Sequence, residues 1–282
     1  QRQMCIRDRA RIKTIIVKEL KSIAEKYGQP RKSIIIYDDV ARYEEETVEI
    51  PDYPVNLFFT KEGYFKKITP QSLRMSGEQK LKDGDEIIQE LEFTNNCDLL
   101  FFTDKCQVYK AKADDFAQTK ASVLGDYVAA KLGFDEGENA VKMVVTKDYK
   151  GMLLFAFENG KAAKVPLESY ATKTNRKKLT GAYSDKSPLV GLLYMPEDEE
   201  VLFKASSGNM LLVHTGALAL KTTRSTQGVA VLKPKKGHRL FSIERYKDGT
   251  FTNPKRYRTG SLPARGALPV NDDSKDEQLS LI

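Results

Sequence analysis

Three basic segments in the second half of the chain carry the kinds of groups that bind phosphate. They read KTNRKK (Lys173–Lys178), KTTRSTQG (Lys221–Gly228) and KPKKGHR (Lys233–Arg239). Lys and Arg side chains, hydroxyls and backbone N–H groups contact nucleic-acid phosphates without reading base sequence. The chemistry that these segments indicate is therefore anion binding. Solvated turns have a similar composition, so a purely structural role remains an open alternative for each segment.

The residue types needed for catalysis or metal binding are scarce. The chain of 282 residues has 2 His and 3 Cys, and the cysteines form no CxxC pair. It contains neither GxxxxGK[ST] nor GxGxxG, the glycine-rich segments that cradle phosphates of nucleotides. The carboxylates around Asp85 and in Glu197–Glu200 are typical of strand edges and loops. We predict no catalytic residue, no metal site and no cofactor held by this chain.

The net charge of +7 conceals an uneven distribution. Residues 204–265 contain 13 basic and 2 acidic residues, and no carboxylate occurs from Lys204 to Ile243. The preceding residues 33–203 are acidic overall, with 22 basic and 30 acidic side chains. A long acid-free stretch in an otherwise acidic chain predicts an anion-binding surface, and nucleic acid is the obvious ligand.

Cellular location is constrained by two patterns. No apolar run approaches the length of a membrane-spanning helix, and no signal peptide is recognisable at the start of the chain. The odd number of cysteines argues against a disulfide framework and for a reducing compartment. These patterns predict a cytoplasmic protein without a membrane partner.

Short runs rich in β-branched and aromatic residues predict an all-β fold that repeats. Four hairpins each have a Phe and, five positions later, a turn residue; the Phe residues are Phe58, Phe101, Phe155 and Phe203. Three of the hairpins place a lysine four positions after the turn: Lys67, Lys110 and Lys164. Repeats of this length with several strands are the signature of a propeller-like array. We predict about five four-stranded blades; a single β-sandwich is the alternative.

The organisation along the chain follows from these patterns. Residues 1–9 lack periodicity and are interpreted as non-native. Residues 10–32 show the apolar spacing of one α-helix, ended by Gly28 and Pro30. Residues 33–262 form the predicted blades, and residues 263–282 are predicted to be an acidic disordered tail.

The order of these features resembles a known family. A helix ending in ELKSIAEKYGQPRKS is followed by PVNLFFTKEGYFKKITPQSL, by the repeated hairpins, and by GALALKTTRSTQGV. This is similar to the C-terminal domain of the A subunit of bacterial type IIA topoisomerases, DNA gyrase and topoisomerase IV. The segment with Arg224, Gly228 and Val229 matches a signature that recurs at blade ends in that family. The resemblance covers residues 11 to 262, and it implies that the helix in residues 10–32 is the end of the breakage–reunion region.

The resemblance implies a β-pinwheel whose basic rim binds and bends duplex DNA with little sequence preference. In that family the catalytic tyrosine lies upstream of the matched region, so this chain would not cleave DNA; ATP and Mg²⁺ would be bound elsewhere in the parent enzyme. The implied protein partners are the ATPase B subunit together with a second A subunit, in a bacterial cytoplasm near the nucleoid. The expected DNA contacts are Lys66, Lys67, Arg74, Lys80, Lys110, Lys164, Lys173, Arg176, Lys177, Lys178, Lys221, Thr222, Thr223, Arg224, Ser225, Thr226, Gln227, Lys233, Lys235, Lys236 and Arg239.

One stretch departs from the gyrase pattern. Gyrases carry a Q-R-R-G-G-K-G box after the first hairpin, whereas Ser72–Asp85 here keeps Arg74, Gly77 and Lys80 but gains Glu78. The departure favours a topoisomerase IV-like domain over a DNA-wrapping gyrase. A propeller that serves as a protein-interaction scaffold, with no DNA role, remains the alternative.

Overall fold

The computed structural model describes residues 8–29, 50–76, 78–172, 177–270 and 273, and the chain separates into two compact units, residues 1–49 and 50–282. In the first unit, helix α1 runs from Arg9 to Tyr27. The Asp8 carboxylate caps it by accepting a hydrogen bond from the Ala10 amide at 2.9 Å. The predicted helix is confirmed, although it ends at Tyr27. Residues 1–7 and the start of the predicted blade region, residues 33–49, lie outside the described residues.

The second unit consists of four antiparallel sheets, here called blades 1 to 4. Blade 1 contains β1 (Pro54–Thr60), β2 (Tyr64–Ile68), β3 (Ile87–Thr94) and β6 (Asp126–Tyr127). Blade 2 contains β4 (Asp98–Thr103), β5 (Gln107–Lys112), β7 (Ala140–Thr146) and β10 (Lys178–Thr180). Blade 3 contains β8 (Met152–Phe157), β9 (Lys161–Pro166), β11 (Leu189–Met195) and β14 (Val229–Ala230). Blade 4 contains β12 (Glu200–Ala205), β13 (Met210–His214) and β15 (Leu240–Arg245).

Two short helices, α2 (Pro70–Arg74) and α3 (Val128–Leu132), interrupt the strands. The mostly β architecture confirms the predicted propeller-like fold. The number of blades differs from the prediction: the described residues form four, and the last has three strands. Residues 246–270 explain part of the difference, because they cover blade 4 instead of building a fifth sheet.

The aligned Phe residues occupy equivalent places, as their spacing predicts. Phe58, Phe101, Phe155 and Phe203 are at most 1% exposed. Each lies in the second strand of its blade, counted from the inside, and pairs across the hairpin at the same register, with Lys66, Tyr109, Ala163 and Leu211 respectively. Phe101, Phe155 and Phe203 pack into the cores shared with the preceding blade. Blade 1 has no preceding blade among the described residues, and Leu73 and Ala121 help to cover Phe58 instead.

Each of the first three blades receives its outer strand from the part of the chain that follows the hairpin of the next blade, an arrangement here called outer-strand exchange. The strand β6 follows the blade 2 hairpin in the chain but pairs with β2 of blade 1; β10 and β14 cross back in the same way to blades 2 and 3. The crossing brings backbones close together. A Cβ on Gly228, where φ is +71°, would lie 2.0 Å from the Ala162 carbonyl oxygen, so the position requires glycine.

The inner strands β3, β7, β11 and β15 surround a central cavity of about 730 Å³. Hydrophobic cores join blade 1 to blade 2, blade 2 to blade 3, and blade 3 to blade 4. Among the described residues, no core joins blade 4 to blade 1. The free face of blade 4 is covered by Phe251, Tyr257 and Ala267. Residues 263–270, predicted to belong to a disordered tail, are therefore part of the fold: Ala267 pairs with Met210, and Ala264 with Leu232.

Candidate nucleic-acid interface

The segment Lys221–Gly228 lies along the outer edge of blade 3. Its first residue, Lys221, donates its backbone N–H to the Lys164 carbonyl at 2.8 Å. Strand β14 begins immediately after its last residue, Gly228, and pairs with β9. The side chains of Thr222, Thr223 and Ser225 are exposed, whereas Lys221 is half-buried. The outer-strand exchange thus displays hydroxyls and cations on one edge of the blade.

Arg224 is held in place by an aromatic ring. Its guanidinium carbon lies 5.7 Å from the centre of the Tyr170 ring, which is buried, and the Tyr170 hydroxyl donates to the Ala182 carbonyl at 2.6 Å. Burial raises the pKa of Tyr170, so its ring stays neutral beneath the cation. Among the described residues, Arg224 has no carboxylate ion pair. A guanidinium that lies over a ring and has no counter-ion keeps its N–H donors available to an anion.

The end of the segment is stabilised by local hydrogen bonds. The Thr226 hydroxyl accepts from the Gly228 amide at 3.1 Å, and the Gln227 side chain accepts from the Lys161 ammonium at 3.4 Å. These bonds occupy two of the groups that we expected to contact DNA. They stabilise the loop, and the remaining cations and exposed hydroxyls of the segment stay available to an anion.

The loop Lys233–Arg239 is a second exposed basic surface. Lys233, Lys235 and Lys236 are exposed, and the described residues offer them no ion pair. Arg239 differs, because it forms a salt bridge with Glu158 at 3.0 Å. The fold adds a residue that the sequence reasoning missed: the Lys233 amide donates to the Ala264 carbonyl at 2.7 Å, which brings exposed Arg265 beside the loop. The only sequence signal for Arg265 was the scarcity of acids up to that residue.

The stretch at the gyrase-box position is attached to blade 1. The Lys80 amide donates to the Ala121 carbonyl at 2.8 Å, and the Lys66 ammonium donates to the Lys80 carbonyl at 2.6 Å. The Lys82 side chain forms a salt bridge with Glu62 at 3.3 Å. The Arg74 and Lys80 side chains remain exposed. Because the acids balance the bases in Ser72–Asp85, this part of the rim attracts phosphate weakly.

Four of the expected DNA contacts are turned inward. Lys66, Lys67 and Lys164 are at most 5% exposed and Lys110 is half-buried, and all four ammonium groups donate hydrogen bonds within the chain. Burial lowers the pKa of Lys66, Lys67 and Lys110. The expectation that these lysines contact DNA is corrected, because strands β2, β5 and β9 are covered on both faces.

The first basic segment contributes least. Lys173 and Arg176 lie outside the described residues. Lys178 is bound to Asp135 at 2.6 Å, and Lys177 is exposed. Among the expected contacts, the exposed or half-buried cations for which the described residues offer no ion pair are Arg74, Lys80, Lys110 and Lys177 on blades 1 and 2, and Lys221, Arg224, Lys233, Lys235 and Lys236 on blades 3 and 4. The larger share therefore lies on blades 3 and 4.

Within the described ranges, no group of three or more His, Cys, Asp or Glu is placed to hold a metal ion. No helix among the described residues is long and apolar enough to cross a membrane. The basic edge of blades 3 and 4 bears cations and hydroxyls, which are groups that bind polyanions.

Comparison with curated proteins gives a consistent set of relatives, although no family model matches. The chain is 25% identical to the DNA gyrase A subunit of Metamycoplasma arthritidis over 280 residues, 92% of this chain and 31% of the relative. It is 26% identical to the DNA gyrase A subunit of Streptomyces coelicolor, covering 84% and 29% of the two chains. It is 25% identical to the DNA topoisomerase 4 A subunit of Staphylococcus aureus, covering 73% and 26%. The chain thus spans about a third of the length of the curated relatives it matches.

Solved structures agree on the fold. The C-terminal domain of DNA topoisomerase IV superposes with a TM-score of 0.61 at 24% identity, covering 71% of this chain and 63% of that one. The E. coli ParC C-terminal domain gives a TM-score of 0.52 at 15% identity, covering 67% and 78%. The four blades are therefore a β-pinwheel like the C-terminal domains of these proteins, and the resemblance stated from the sequence is confirmed.

Proposed function

We propose that this chain, whose relatives are A subunits of gyrase and topoisomerase IV, is a DNA-binding and DNA-bending domain of a bacterial type II topoisomerase. The observation that carries the proposal is the surface on blades 3 and 4, where cations without ion pairs lie beside exposed hydroxyls. Phosphate contacts of this kind bind duplex DNA without reading its sequence. In this proposal the chain performs no strand cleavage; an ATP- and Mg²⁺-dependent B subunit, with a second copy of the A subunit, completes the enzyme in the cytoplasm.

The charge pattern predicts that DNA is held unevenly. Blades 3 and 4 present five of the expected cations without ion pairs, whereas the box-position stretch on blade 1 exposes Arg74 and Lys80 but has no net charge. Bending a short duplex strongly costs several kcal/mol, and contacts along the whole bent path must offset that cost. We propose that DNA is held mainly by the late blades and bent modestly, as suits a topoisomerase IV-like domain.

Charge reversal tests where DNA is held. Arg224→Glu and Lys235→Glu should each weaken binding of a mixed-sequence duplex by about tenfold, because each loses a phosphate contact and adds a repulsion. Arg74→Glu is the matched control: it reverses an exposed charge on the box-position stretch and should change affinity less. Fluorescence anisotropy at fixed salt measures all three. Equal losses of affinity in Arg74→Glu and Arg224→Glu would contradict the proposal that blades 3 and 4 hold most of the DNA.

Ligation of nicked circles distinguishes modest bending from wrapping. With the protein bound, we expect only a small change in linking number, because the neutral stretch on blade 1 does not hold the DNA in a handed turn. Two-dimensional gel electrophoresis of the ligated circles measures the change. A large shift of one sign per bound molecule would contradict the topoisomerase IV-like assignment and favour a gyrase-like one.

A different observation favours the alternative of a protein-interaction scaffold. Each inner strand has a β-bulge at the same register, and the extra residue is apolar: Ile88, Val141, Val190 and Phe241. Ile88 and Val141 are each 39% exposed and Phe241 is 67% exposed. Exposed apolar residues at bulges are often sites of contact. If the scaffold is the function, Phe241→Ala abolishes partner capture, while the charge reversals leave it unchanged.

A further inference from the structure

Three buried or half-buried lysines occupy one repeat position in the first three blades. Lys67, Lys110 and Lys164 each lie one residue beyond the cross-strand partner of the aligned Phe, on the strand that follows the hairpin turn. The equivalent residue of blade 4 is Leu212. The proposed DNA-binding surface on blades 3 and 4 does not account for these lysines, because their side chains point away from solvent.

Lys67 connects blade 1 to blade 2. Its ammonium donates to the Asn95 side-chain oxygen and to the Ala113 carbonyl, both at 2.7 Å. Asn95 lies in the link between strands β3 and β4, and Ala113 begins the 3₁₀ turn after the blade 2 hairpin. The lysine thus binds the link between the blades and the next blade itself.

Lys164 repeats the arrangement between blades 3 and 4. Its ammonium lies 2.9 Å from an Asp198 carboxylate oxygen and 2.9 Å from the Thr215 carbonyl oxygen. Asp198 lies in the link between β11 and β12, and Thr215 begins the 3₁₀ turn after the blade 4 hairpin. Lys67 and Lys164 thus contact the same two kinds of position, the link between two blades and the 3₁₀ turn of the next blade. Because these positions are equivalent in different blades, the contacts follow from the repeat.

Lys110 makes a variant of the same contacts between blades 2 and 3. Its ammonium donates to the Thr172 hydroxyl at 3.1 Å and lies 4.8 Å from the centre of the Tyr149 ring. Tyr149 is in the link between β7 and β8, and Thr172 follows the 3₁₀ turn of blade 3. Leu212 of blade 4 is not a lysine, which agrees with this pattern, because no fifth blade follows among the described residues. Leu212 instead packs on Phe251 and Tyr257.

We propose that Lys67, Lys110 and Lys164 are interblade locks, positioning residues that fix the angle between successive blades. A buried ammonium is costly unless directional hydrogen bonds satisfy it, so it tolerates only the arrangement in which both acceptors are in place. An apolar residue at the same position would allow the blades to slide. The consequence for DNA, that the locks set the curvature of the DNA-bearing edge, rests on the proposed function.

The test compares Lys164→Met with Leu212→Met, which changes the equivalent position where no lock exists. Amide hydrogen exchange is measured on the full chain. In Lys164→Met, two amides should exchange about tenfold faster, as expected for losing a buried hydrogen bond. They are the Leu218 amide, which donates to the Thr215 carbonyl, and the Thr215 amide, which donates to the Glu199 carbonyl. The β8–β9 hairpin, which carries the lysine, should keep its protection, and Leu212→Met should leave the Thr215 turn unchanged.

Two further measurements decide between a lock and a general loss of stability. Energy transfer between the two ends of a bound duplex should report a smaller DNA bend for Lys164→Met than for the wild type, with unchanged affinity. If the wild-type chain binds no DNA, the proposed function is wrong, but the hydrogen-exchange result still decides whether Lys164 is an interblade lock. Asp198→Asn, which weakens the same contact and keeps an acceptor, replaces Lys164→Met if that variant does not fold. Exchange that is unchanged, or raised uniformly across all blades, overturns the proposal.

Discussion

The affinity of this chain for duplex DNA should fall by roughly five-hundredfold when the salt concentration rises from about 50 to about 200 mM. The reason is counterion release: each cation that neutralises a phosphate frees a condensed counterion, and log affinity falls by about 0.9 per phosphate for each unit of log salt. Five phosphate contacts, one for each of Lys221, Arg224, Lys233, Lys235 and Lys236, would give a slope of about −4.5.

Titration of binding at several salt concentrations, with a mixed-sequence duplex, measures that slope. An Arg224→Glu variant should have a shallower slope than the wild type, by about one for the lost phosphate contact. A second duplex of different sequence is the control, and it should give the same affinity. Binding that does not change with salt would contradict a phosphate-based interface.

Replacing Phe155 by Ala should lower the free energy of unfolding by about 3–5 kcal/mol, because it removes a large buried ring and leaves a cavity. The ring is fully buried and lies 5.7 Å from the Phe102 ring and 5.6 Å from the Tyr183 ring, measured between centroids. Blades 2 and 3 share this core, so the loss weakens the contact between two blades.

Urea unfolding measures the effect, and Phe241→Ala is the matched control. Phe241 is also a strand residue, but it is 67% exposed, so its replacement should change stability little. Similar losses in the two variants would contradict the register that places Phe155 in the interior.

The repeat was predictable from the sequence because a hairpin with a tight turn fixes several positions together. Gly63, Gly160 and Gly208 all have positive φ, as does Cys106 at the equivalent turn, and the Phe five residues earlier follows at a set distance. The number of blades was not predictable in the same way. Exchanged strands of two or three residues, such as β6 and β14, are too short to show a periodic pattern.

The candidate site was predictable in part. The acid-free run indicated the surface on blades 3 and 4, because long-range charge is a property of composition. The prediction that Lys67, Lys110 and Lys164 contact DNA was wrong because a lysine in a strand is normally solvated. The sequence alone does not show that β2, β5 and β9 are covered on both faces. The Arg265 contribution depends on pairing between distant segments, which no local pattern reports.

The exchange of outer strands has a consequence for synthesis on the ribosome. Blade 3 receives β14 only after the hairpin of blade 4 has been made, and blade 1 receives β6 only after the hairpin of blade 2. Because chains emerge from the ribosome N-terminus first, each blade waits with an unpaired edge until part of its successor is available. Vectorial folding would therefore proceed by overlapping pairs of blades, and a nascent chain stalled before Val229 would leave blade 3 as well as blade 4 incomplete.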